Sequence, residues 1–194
     1  CGVGVILLAD FLSLDSISTG MPLENSYLFH GYRYRDFEVS WFWRHYSELF
    51  ESIGLPIYQP VAGCSEIVNI RIVQNHNLDN WAQSCLRSSE AGQVCQSCWK
   101  CFRKNTLLGQ PFTLSSEIKT FLSKEPLKQA VSTIYSIQKG KNTPNGKKII
   151  SKYPHIRSHL DMELNWLERH YAPALDLVPE RYRDFTINRI ETIS

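Results

Sequence analysis

Four cysteines falling within seventeen consecutive positions constrain this chain more than any other feature of its sequence. They are Cys85, Cys95, Cys98 and Cys101, in the order Cys-x9-Cys-x2-Cys-x2-Cys. A Cys-x2-Cys step lets two thiolates reach one ion from a tight turn, and two such steps here share Cys98. Cys98 and Cys101, three residues apart, would share a face of a helix. Cys95 would hang from the preceding loop, in which Gly92 supplies freedom, and Cys85 would close the tetrahedron. Four thiolates at about 2.3 Å make a closed zinc shell with no position left for water, so the expected role is structural. An iron–sulfur cluster suits the same donors, and two disulfides or four unrelated thiols are the other readings. Lys100, Arg103, Lys104 and Arg87 are close enough in sequence to offset the surplus negative charge. Cys1 and Cys64 read as small buried residues.

The clustering also speaks to compartment. Secreted disulfide scaffolds spread their cysteines over a short chain, whereas a tight group suits metal binding in a reducing compartment. The apolar run at 3–8 is broken by Asp10 and is far too short to cross a bilayer, so no membrane partner is expected and a cytoplasmic protein is. With 194 residues, 43% of them apolar, the chain can build a substantial core, and its net charge of +2 names no partner. It opens at Cys1 inside an apolar pattern, which reads as the rear part of a longer protein.

The apolar spacing predicts a helix over 3–14 with Val3, Leu7, Leu8, Phe11, Leu12 and Leu14 on one side, then a strand ending at Gly20. Residues 21–36 read as irregular and aromatic. Val39, Phe42, Trp43, Tyr46, Leu49, Phe50 and Ile53 form the clearest amphipathic stripe, ended by Gly54, with Trp41 off the stripe as a partner-surface candidate. A short strand at 55–58 follows. Ser65 caps a helix through 66–73 whose apolar residues lie on more than one side and predict burial. A polar break at 75–80 leads to the cysteines and to a basic helix over 98–108 closed by Gly109. Beyond a boundary near 110 an all-helical tail is expected, with helices over 113–123, 126–138 and 156–167. A final helix from Pro179 would turn Tyr182, Phe185, Ile190 and Ile193 inward. Between them, 139–152 reads as a hydrophilic loop with five lysines, a candidate phosphate contact or simply a solvated segment.

Ser84-Cys85, Gly92, Cys95-x-x-Cys98-x-x-Cys101 and Arg103 together resemble the zinc-binding segment of the 7-cyano-7-deazaguanine synthases. The upstream order is similar too: a helix ending in Ala9-Asp10, a strand to Gly20, an aromatic loop, a long helix, and a Ser65-Glu66-Ile67 helix start. The resemblance covers about residues 3–109. It implies an α/β fold with a Rossmann-like, partial parallel sheet of the adenine nucleotide α-hydrolase type, here carrying a four-Cys zinc knuckle and a helical tail. It also implies a ligase that uses ATP to activate a carboxylate or amide on a purine-like, 7-deazaguanine-type base. The Ser-Gly-Gly-x-Asp-Ser phosphate loop of that family is absent, so the ATP loop is expected outside this chain. Cys64-Ser65 stands where a lysine is expected, and residues 111–194 have no counterpart.

Residues after strands deliver ligand contacts in open α/β sheets. Glu24 is therefore a candidate to bind a purine-like edge, with Tyr27 stacking and Ser65 and Glu66 contributing. The plain alternatives are a solvated carboxylate and a simple helix cap. His155 and His159, four apart, could bind metal but lack acidic or Cys neighbours and read as a surface pair. The expected partner is a purine-like small molecule or a modified nucleic acid, with a homodimer left open. The competing function is a non-enzymatic zinc-stabilised module that docks nucleic acid or a protein.

Overall fold

Helix formation at the start of the chain stops early. The computed structural model describes residues 2–29, 31–78, 81, 82, 85, 87, 88, 90 and 93–191. Expectations placed on Cys1, His30, Asp79, Asn80, Ser84, Gly92, Ile193 and the side chain of Val3 lie outside them. Helix α1 spans Gly2–Leu8, and turns over 9–13 take the place of the rest of the expected helix, with Ser13 at φ 50. Its apolar side is not covered: Leu7 is 77% and Phe11 84% exposed. Spacing fixes which residues share a face, not what lies against that face.

Strand β1 (Ile17–Ser18) leads into the loop at 20–26. The aromatic stretch contains an antiparallel pair, β2 (Leu28–Phe29) and β3 (Arg33–Tyr34), that sequence patterning left irregular. Two-residue strands are too short to show alternation. Helix α2 (Trp41–Ser52) starts at Ser40, whose side chain accepts the Trp43 N–H, and ends before Gly54 at φ 74. Phe42 and Trp43 pack against the core, while Leu49 and Ile53 remain more than half exposed. The strand that follows, β4 (Ile57–Tyr58), pairs parallel with β1 in the register Ile17↔Ile57, Ser18↔Tyr58. The observed fold is thus mixed helix and strand with a two-stranded parallel pair. Because the strands are parallel, the loops after both emerge at one end, tied by Leu23 N–H to Cys64 O at 2.9 Å and Ser26 Oγ to Ala62 O at 2.8 Å.

Helix α3 (Glu66–Asn75) follows, with only Ile67 and Val68 fully buried rather than the burial on several sides its composition suggests. Helix α4 (Trp99–Leu107) runs from the cysteines to Gly109 at φ 65 and buries Phe102 completely. After α5 (Ser116–Leu122) comes α6 (Ala130–Gly140), the central helix, in which residues 131–137 are all buried. Ser132, Thr133 and Ser136 keep its girth small, and Gly140 lies where a Cβ would meet Thr106 Cγ2 at 2.5 Å, so α4 and α6 approach closely.

The lysine-rich segment at 139–152 is not a loop. Lys139 closes α6, and α7 spans Pro144–Lys152, capped by Thr143 with Pro144 in its first turn. Ile149 is buried while Lys147, Lys148 and Lys152 are exposed, so the segment is amphipathic in spite of its hydrophilic average. The helix expected over 156–167 is broken into α8 (Pro154–Arg157) and a 3₁₀ turn at Asn165–Glu168, which bury Ile156 and Leu167 separately. A second 3₁₀ turn, Ala172–Leu177, precedes α9 (Glu180–Glu191). Phe185, expected to face inward, is 63% exposed, and Thr186 takes the buried position instead. One hydrophobic core runs from Leu23 and Tyr27 through Phe102 and Ile134 to Leu167 and Leu177. Secondary structure changes character near residue 110, but packing does not divide there.

Candidate metal centre and adjoining cleft

The sulfur atoms of Cys85, Cys95, Cys98 and Cys101 all lie within 4.8 Å of one another, and those of Cys95 and Cys101 are 3.7 Å apart. A tetrahedron whose centre is ~2.3 Å from each sulfur has an edge of about 3.8 Å, so the arrangement fits a metal ion. It does not fit disulfides, whose sulfurs are separated by about 2.05 Å; none of the four is in a disulfide. Local backbone geometry produces the convergence. Cys98 is the N-cap of α4 rather than a residue of its first turn, and its sulfur accepts the Cys101 N–H at 3.4 Å. Cys85 accepts the Cys95 N–H at the same distance. Gln96 at φ 55 makes the turn that brings Cys95 back over Cys98. The knuckle is fastened to the entry of α5 by Thr113 N–H to Gln96 O at 3.1 Å and Ser115 Oγ to Ser97 O at 2.6 Å.

The thiols do not titrate alike. Burial works against the Cys95 thiolate, but hydrogen bonds from Ser97 and Cys85 outweigh it and bring the group down to about 6. Cys101 is pushed up by burial and by its three sulfur neighbours. Adjacent thiolates cannot all ionise without a cation among them. Two of the four basic residues expected to offset the cluster have other partners. Arg87 pairs with Glu117, and Arg103 pairs with Glu66. Cys64, by contrast, is 1% exposed and raised to about 11 by burial, away from the cluster. His155 Nε2 meets Leu122 O and His159 Nδ1 meets His155 O, so the two rings do not converge on a shared ion. Among the described residues the cysteines alone form a group of three or more His, Cys, Asp or Glu with converging donor atoms.

Beside the knuckle lies a cleft of about 570 Å³ between the loop after β1, the exposed side of α3 and the first turns of α4. Glu24 and Glu66 line it. Glu24 is 4% exposed, and its carboxylate accepts the Glu66 N–H at 3.0 Å and the Ser132 hydroxyl at 2.5 Å. It therefore caps the positive end of α3, while burial pushes its pKa up against those hydrogen bonds. The Glu66 carboxylate accepts from Arg103 Nε at 2.9 Å and Nη2 at 2.7 Å. The Arg103 guanidinium sits 4.6 Å from the centre of the Trp99 ring, which stacks on Phe121. Burial lowers the Lys104 pKa.

Tyr27 and Ser65 stand apart from this cleft, contrary to expectation. Tyr27 is 2% exposed, with its ring against Tyr171 at 4.9 Å and its hydroxyl without a hydrogen-bond partner among the described residues, so it belongs to an aromatic core and not to a stacking platform. Ser65 is fully buried; its hydroxyl accepts the Ile67 and Val68 N–H groups and donates to Leu167 O. Of the expected substrate residues, Glu24 and Glu66 come together and these two do not join them. Arg103, Trp99 and Ser132 were not singled out for the cleft. The four-residue spacing of Trp99 and Arg103 signals a shared helix face; nothing local signals Ser132.

Residues 45–193 match the family model for a family of unknown function, DUF6395. The chain belongs to this family. No curated protein and no solved structure matches it. The family unit runs from α2 to α9 and so includes the cysteines, both helical walls of the cleft and the segment beyond residue 110. No helix among the described residues is long and apolar enough to cross a membrane.

Proposed function

We propose that this DUF6395 member holds one structural zinc ion through Cys85, Cys95, Cys98 and Cys101, and that the zinc knuckle fixes one wall of a cleft for a purine-like small molecule. The convergence of four sulfur atoms within 4.8 Å carries the reading. When bound, zinc would supply cross-linking of the 85–98 loop to α4, not reaction chemistry, because a four-thiolate shell leaves no open position. The parallel β1–β4 pair, with its outgoing loops at one end beside the cleft, supports a Rossmann-like sheet and a ligand at the strand ends. On this reading the chain is related in kind to the 7-cyano-7-deazaguanine synthases, C–N bond-forming ligases acting on a 7-deazaguanine-type base. Within the chain, Glu24 and Glu66 hold and orient the cleft: Glu24 fixes the start of α3, and Glu66 holds the Arg103 guanidinium against Trp99. The ATP step of that chemistry is assigned to none of these residues.

Elemental analysis of the purified protein tests the metal: about one zinc per chain is expected, and iron or no metal would end the reading. Cys98→Ser should lower both zinc content and melting temperature, since it removes a ligand while the serine hydroxyl still caps α4. A calorimetric titration with 7-deazaguanine tests the ligand class; no detectable binding by the zinc-loaded protein would count against a purine-like base.

A further inference from the structure

The cleft carries more positive charge than its own walls neutralise. Among the described residues, five titratable side chains line it: Glu24, Glu66, Lys100, Arg103 and Lys104. Glu66 is matched by the Arg103 fork, and Glu24 by the first N–H of α3 and the Ser132 hydroxyl. Neither Lys100 nor Lys104 forms an ion pair among the described residues, although Glu66 and Cys101 act on Lys104 at longer range; Lys100 lies 5.9 Å from the centre of the Trp99 ring. Arg103 is 5% exposed, yet its Nη1 is a buried donor with no acceptor among the described residues. A buried guanidinium nitrogen without an acceptor is costly and calls for an explanation. An anion entering the cleft would meet the two lysines beside that guanidinium. Ile70, Val73 and Leu108 form an apolar side of the same cleft, and its volume lies in the ordinary range for small-molecule sites.

We propose that Lys100, Lys104 and Arg103 form an oxyanion subsite that takes the carboxylate or phosphate of a small organic ligand whose apolar or planar body lies against Ile70, Val73 and Leu108. This rests on the reading of the cleft as a ligand site, but not on the ligand being a purine. Glu66 is the positioning residue. By holding Nε and Nη2 of Arg103 it fixes the guanidinium beside the two lysines. Trp99 stacks on Phe121 and has the Arg103 guanidinium 4.6 Å from its ring centre, which ties the guanidinium to the α4 wall.

Isothermal titration of the metal-loaded protein with two matched pairs of probes tests this. The first pair is 2-naphthoate and neutral 2-naphthalenemethanol; the second is GMP and guanosine. Each subsite-compatible anion should bind about 10-fold tighter than its neutral partner, the worth of one charge-assisted hydrogen bond. The advantage should largely vanish in the Lys100→Gln/Lys104→Gln double variant while metal content stays constant. An advantage confined to naphthoate identifies a carboxylate, and one confined to GMP a phosphate; either supports the subsite. Naphthoate selectivity without binding of guanosine or GMP retires the purine reading and leaves the subsite standing. Equal affinity within both pairs, no binding of any anion, or an undiminished anion advantage in the double variant overturns the subsite. Loss of zinc in that variant without change in anion selectivity overturns it too, assigning the lysines to the thiolate cluster. The single variants Lys100→Gln and Lys104→Gln carry the same comparison if the double variant does not fold.

Discussion

Glu168 ties three parts of the chain with one carboxylate. It accepts from Arg71 of α3 at 2.6 Å, pairs with Lys139 of α6 at 3.0 Å and accepts the Tyr135 hydroxyl. Hydrogen bonds from Tyr135 and Arg71 bring its pKa from the ordinary 4.5 down to about 2. Folding therefore favours the charged form. That contribution is complete above about pH 4.5 and is lost as pH falls through about 2. Glu168→Gln should lower the melting temperature at pH 7 and flatten its fall between pH 4.5 and 2.5. Parallel melting curves for the two proteins across that window would show that the carboxylate contributes nothing. Residue-scale expectations succeeded where the partner is local. Ser65 before Glu66-Ile67 is legible as a cap, because the N–H groups it accepts are two and three residues away. Its bond to Leu167 O crosses 102 positions, and no local pattern encodes that. Tyr27 failed for the same reason: a tyrosine after a strand looks the same whether solvent or Tyr171 lies over it.

Among the elements, α7 best separates composition from pattern. Five lysines over 139–152 make the segment look solvated, yet Thr143-Pro144 is a helix start and Ile149 and Ile150 supply a buried edge. Thr143→Ala should cost about 1 kcal/mol, because the Gly146 N–H it satisfies at 3.0 Å is left without its cap. Chemical denaturation would read this directly, and an unchanged midpoint would mean that tertiary packing alone holds α7. Helix α2 has the converse history. Its stripe is the strongest in the sequence, and the helix forms with the expected Gly54 stop, but none of its residues is fully buried. Amphipathic spacing is a statement about one helix; the depth at which it is buried depends on its neighbours.

On the scale of the molecule, the boundary expected near 110 has no counterpart in packing. Phe102 of α4, Ile134 of α6 and Leu167 share one core, and α4 and α6 approach at Gly140. Residues 1–110 and 111–194 produced separately should each lack a cooperative thermal transition, since each would expose core residues that the other covers. A sharp melt from either half alone would establish an independent unit. Mixing the two halves and recovering the transition would show that the interface itself is sufficient for folding.

The sequence by itself determined the four-cysteine cluster, the cap at Ser65, the glycine stops at Gly54 and Gly109, and the helical character of the chain after residue 110. These depend on spacings of a few residues, over which the backbone transmits geometry directly. Tertiary structure alone decided that Arg103 faces Glu66 rather than the sulfurs, that Ser132 reaches Glu24 across 108 positions, and that Tyr27 is core while Glu24 lines a cleft. Each of those outcomes needs segments brought together by burial of the shared core, a driving force that depends on area and not on sequence order.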